Sequence, residues 1–75
     1  MRWYEDSKPL KTCDLLQRSD EVLVFTDKGR YLVCFVLFDD EFGDQWVYGR
    51  DMYTLPDEEV SCWAYLPSHP LLWEI

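Results

Sequence analysis

Basic side chains all but vanish from the second part of this 75-residue chain. From Tyr31 onward only Arg50 is basic, against Asp39, Asp40, Glu41, Asp44, Asp51, Asp57, Glu58, Glu59 and Glu74. Residues 1–30 balance six basic side chains against six acidic ones, so the whole formal charge of -8 belongs to residues 31–75. A field of that sign repels nucleic acid and anionic membrane and speeds encounter with basic surfaces. Direct binding to nucleic acid or to a membrane is therefore not expected, and a basic protein partner is. Long apolar runs are missing as well. The longest, residues 31–38, is too short to span a bilayer. The opening Met1-Arg2-Trp3-Tyr4-Glu5-Asp6 has no apolar stretch of the kind a secretory signal needs, so a soluble protein of the cytoplasm is expected.

Chemistry-bearing patterns are equally sparse. Three widely spaced cysteines, Cys13, Cys34 and Cys62, are an odd number and suit a reducing compartment better than a disulfide framework. Cys34 lies inside the apolar run and reads as a small buried hydrophobe. With His69 the three would make a zinc donor set by type, but no Cys-x-x-Cys or His-x-x-x-His pair pre-organises one. Residues 39–44 are rich in carboxylates, yet counting back from Gly43 as the sixth position of a calcium loop puts Phe38 at the first, which rejects that motif. There is no Gly-rich phosphate loop, no nucleophile motif and a single His, so no enzyme, catalytic residue, metal or cofactor is expected.

What the chain does have is apolar and aromatic weight. At 48% hydrophobic and 17% aromatic it is too rich in core-forming residues to stay disordered despite its charge. One domain covering residues 1–75 is expected, folding alone or as a homodimer. Glu21-Val22-Leu23-Val24-Phe25-Thr26 and residues 31–38 are dense in β-branched and aromatic residues. Between them Asp27-Lys28-Gly29-Arg30 supplies the positive φ of a tight turn, predicting a β-hairpin. The second of these strands is apolar on both faces and reads as central. Residues 45–49 and 60–66 resume strand composition, and Trp3-Tyr4 reads as a short opening strand. Thr12 is placed to cap one short helix reaching Arg18. Pro67 and Pro70 force an extended tail whose Leu71, Leu72 and Trp73 pack back on the body. The fold class is mainly β, or α+β with that one helix. It has three to five antiparallel strands as a small meander or an SH3-like curled sheet.

Trp3, then Val22-Leu23-Val24-Phe25-Thr26-Asp27-Lys28-Gly29, then Val60-Ser61-Cys62-Trp63-Ala64-Tyr65-Leu66-Pro67-Ser68-His69-Pro70 form a pattern over most of the chain. It resembles a small phage and prophage domain of unknown function that begins with a Trp, runs through a VLVYT-x-x-G hairpin and closes on a V-T-H-W-M-P-L-P-x-P segment. Cys62 stands where that family has His before the Trp, and Ala64-Tyr65 where it has Met-Pro. The resemblance implies a phage or prophage origin, a mostly β fold and the host-cell cytoplasm, with no established activity. In size and charge the chain is similar to phage proteins that block host defences, anti-CRISPR proteins and DNA mimics among them.

Acids interleaved with aromatics are the candidate partner-binding set: Asp39, Asp40, Glu41, Phe42, Asp44, Trp46, Asp51, Tyr53, Asp57, Glu58 and Glu59. Brought to one edge, they would present carboxylates spaced like phosphates, with aromatic anchors, to an Arg/Lys-lined groove. The expected function is a phage-encoded acidic protein that inhibits a host defence or other nucleic-acid-binding protein by occupying its basic surface. The alternative is a small-molecule or nucleotide-signal binding module that stacks its ligand on Trp46, Trp63, Tyr48 and Tyr65.

Overall fold

Asp27-Lys28-Gly29-Arg30 turns the chain back between two apolar stretches, and in the structure, a computed structural model that describes residues 2–66, it closes a β-hairpin. Gly29 adopts φ 77°, a conformation open to glycine at no steric cost, and its N–H reaches the Thr26 carbonyl at 3.0 Å. In chain order the strands are β1 (Lys11–Cys13), β2 (Arg18–Ser19), β3 (Val22–Thr26), β4 (Tyr31–Asp39), β5 (Gly43–Tyr48), β6 (Tyr53–Leu55) and β7 (Val60–Tyr65). A single 3-10 turn, Asp57–Glu59, precedes β7. Every pairing is antiparallel, and the sheet curls into an open half-barrel.

Nine-residue β4 is the central strand. One edge pairs β5 from Cys34↔Tyr48 to Asp39↔Gly43. The other pairs β3 from Phe25↔Tyr31 to Val22↔Cys34 and then passes to β2 at Arg18↔Leu37. Where that edge changes hands, the buried Ser19 hydroxyl accepts the Val36 N–H at 2.9 Å and donates to the Asp20 carbonyl at 2.9 Å. A side chain thus satisfies a buried backbone donor that no strand reaches. β3 also pairs β7, whose Trp63 backbone exchanges hydrogen bonds of 2.8 and 3.0 Å with Tyr4.

Period-two alternation puts Val22, Val24, Cys34, Val36, Trp46, Leu55 and Trp63 on one face, where they form the core, with Tyr4, Leu32, Phe38, Tyr48 and Val60 packed around them. Each buried Val contributes about 1.5–3 kcal/mol by leaving water. On the opposite face the Arg18 guanidinium lies 3.7 Å from the centroid of the Phe35 ring and covers it.

Three sequence expectations are corrected. The helix from Thr12 to Arg18 is a β-hairpin: the Thr12 hydroxyl donates to Asp20 at 2.9 Å instead of capping, and Gln17 takes φ 53° to close the turn. Pairing of Arg18 with Leu37 on β4 overrides the local helix signal and leaves Leu15 and Leu16 facing solvent. Seven strands replace three to five, because β1, β2 and β6 are two or three residues long. Trp3-Tyr4 contributes one bridge at Tyr4, not a strand. The expected packing of Leu71, Leu72 and Trp73 lies outside the described residues.

Candidate functional site

At the far end of β4 the Asp39 carboxylate folds over its own turn. It accepts the Glu41 N–H at 2.7 Å and the Phe42 N–H at 3.0 Å, and Gly43 completes the reversal at φ 82°. These bonds, that from Phe42 foremost and that from Glu41 next, hold the Asp39 carboxyl below its ordinary range. Asp39 is therefore spent on the turn, while Asp40 and Glu41 are exposed with no ion-pair partner among the described residues, and Phe42 is 71% exposed.

A second turn sits beside the first. The Gln17 carbonyl accepts the Phe38 N–H at 2.8 Å, which brings residues 14–17 to the same end of the sheet as residues 40–42. Leu15 is 92% and Leu16 59% exposed there. Asp14 precedes them, in an open ion pair with Lys11 at 3.7 Å that is worth little in water. Neither leucine was in the expected site. The only signal was an apolar pair between Asp14 and Gln17, which a helical periodicity would have taken inward.

The other expected residues fall into separate places. Asp44 and Asp57 line one groove of about 540 Å³ together with Tyr4, Phe38, Trp46 and Trp63, and Asp57 is paired with Lys8 at 3.2 Å. Asp51 and Tyr53 lie at the opposite end of six-residue β5 from the acidic turn, roughly 17 Å away at 3.3 Å per residue. There the Tyr53 hydroxyl donates to Asp51 at 3.3 Å. Glu59 pairs with Lys28 at 3.3 Å and its carbonyl accepts the Asp27 N–H at 2.9 Å, while Glu58 is exposed beside it. The acids thus do not share one edge. Trp46, expected as an anchor, is 2% exposed and belongs to the core.

The aromatics expected to stack a small ligand make ring contacts within the chain, and Trp46 and Trp63 also line the groove. Trp63 stacks on Tyr4 at 4.6 Å and 23°, donates its indole N–H to the Ser7 carbonyl at 3.0 Å, and receives Tyr65 edge-on at 5.3 Å. Tyr48 meets Tyr53 at 5.7 Å. Among the described residues no group of three or more His, Cys, Asp or Glu is arranged to hold a metal ion, and no helix is long and apolar enough to cross a membrane. No protein-family model, curated protein or solved structure matches the chain.

Proposed function

We propose that this chain is an acidic protein-interaction domain that engages a basic surface of a partner protein. The observation that carries it is the division of labour at the β4–β5 turn. Asp39 fixes the backbone and so presents Asp40 and Glu41 on a preorganised tip with no counter-cation within ion-pair reach among the described residues. Carboxylates held this way forfeit less side-chain and loop entropy on binding than carboxylates on a loose loop. The surplus of acid over base over residues 31–75 steers a basic partner toward the molecule. The finer reading, an inhibitor occupying the nucleic-acid-binding surface of a host defence protein, rests on the resemblance to a phage and prophage domain and on charge.

Charge reversal at Asp40, Glu41 and Asp44 to Lys, with Asp39 left in place to hold the turn, is the direct test. The variant is expected to keep the wild-type circular dichroism and to lose the captured partner, and wild-type binding is expected to weaken steeply from low to physiological salt. Wild-type capture that ignores salt, or a reversal variant that binds as before, counts against the proposal.

A further inference from the structure

The two turns at the far end of β4 combine features that neither has alone. Residues 40–42 supply free carboxylates and one exposed ring; residues 14–17 supply two exposed aliphatic side chains. Leu15, Leu16 and Phe42 are among the most exposed large apolar residues described, and all three sit on hairpin tips tied together by the Phe38 N–H to Gln17 carbonyl bond. An acidic surface that served only for solubility would not need apolar side chains at its outermost points, where they add exposed apolar area.

Resting on the charge-driven reading above, we infer that this end docks a basic amphipathic segment of a partner protein. Apolar side chains of that segment receive Leu15, Leu16 and Phe42 while its Arg or Lys side chains meet Asp40 and Glu41. The occupant follows from charge complementarity. A second copy docked symmetrically, tip to tip, would set Asp40 and Glu41 against their own equivalents, and a nucleic acid or anionic bilayer is repelled by the same carboxylates. A purely polar basic surface would leave both leucines in water. The apolar contacts set affinity and the carboxylates set encounter rate and salt dependence, so the two contributions separate by mutation.

The test uses two synthetic peptides of equal length and equal positive charge, one alternating Arg with Leu and the other Arg with Ser, titrated against the whole chain by fluorescence anisotropy at low and physiological salt. Wild type is expected to prefer the Arg/Leu peptide by about tenfold, the scale of partly burying a few apolar side chains. The double variant L15S/L16S, altered only at exposed positions, is expected to lose that preference and keep the salt dependence. D40N/E41Q is expected to weaken binding to both peptides and flatten the salt dependence. Val33→Ser, at an exposed apolar position on β4 away from the tips, serves as control and is expected to behave as wild type. If L15S/L16S keeps the preference while D40N/E41Q weakens both peptides, the docking inference falls and the charge-driven function stands. If D40N/E41Q binds both peptides as wild type does, the charge-driven function falls as well. Loss of the preference in Val33→Ser places the apolar contact elsewhere and overturns the inference.

Discussion

Trp63 joins several parts of the molecule. It is 3% exposed, stacks on Tyr4, lies 6.5 Å from Trp46 between ring centroids and fastens Ser7 through its indole N–H. Removing a core Trp costs about 3–5 kcal/mol, comparable with the entire stability of a domain this size. Trp63→Ala is therefore expected to be unfolded at room temperature by near-UV circular dichroism. Trp63→Phe keeps a ring against Tyr4, forfeits the bond to Ser7 and should remain folded with a lowered melting temperature. Cys34 makes a quieter point. Burial pushes its thiol up to about 11 from a usual value near 9, so the folded state keeps it protonated where the unfolded state ionises it. Its contribution to stability is intact below pH 9 and is lost as pH rises toward 11. Cys34→Ala should decline less steeply over that window in urea titrations. Native alkylation followed by peptide mapping should find Cys13 and Cys62 labelled well before Cys34.

At the scale of elements, the acidic turn and the hairpins show what a sequence can and cannot declare. The Asp39 carboxylate is depressed by the N–H groups of Phe42 and Glu41, so its hold on the turn is present at neutral pH and is lost as pH falls through its folded value. Asp39→Asn is expected to speed amide exchange at Glu41 and Phe42 at neutral pH, leaving the β3–β4 amides unchanged. In the wild type the same acceleration should appear only under acid conditions. The β3–β4 hairpin and β7 were legible because Val22, Val24, Val33, Val36 and Val60 lie in strand-dense runs with Gly29 between the first two. β1, β2 and β6 have no such signature. They are strands because neighbours pair with them, as Leu37 does with Arg18 and Trp46 with Leu55, and tertiary pairing of that kind overrides local preference. The Thr12 to Arg18 segment misled for the same reason: its cap residue and its leucines suit a helix until Thr12 finds Asp20 across the turn.

For the whole molecule, charge acts in two opposed ways. Self-repulsion at a net charge of -8 weakens the folded state while the same field draws in a basic partner, and added salt screens both. The melting temperature is expected to rise from low to physiological ionic strength while affinity for a basic partner falls, which calorimetry and anisotropy on one preparation would show. The acidic positions themselves were legible from composition, but their grouping was not. Strand length and register decide that Asp40 and Asp51 lie at opposite ends of β5, and that the turn carrying Leu15 and Leu16 lies at the same end of the sheet as Phe42. The bond from Trp63 to Ser7 joins positions 56 residues apart, and it lies beside the Tyr4 bridge. Docking of the N-terminal segment on β7 thus rests on contacts between residues far apart in sequence, and loop-closure entropy must be met before those contacts repay it. Folding is expected on the slow, millisecond-to-second side for so short a chain. The local β3–β4–β5 meander would form early, and the arrival of Tyr4 on the Trp63 ring would be the late step that stopped-flow tryptophan fluorescence follows.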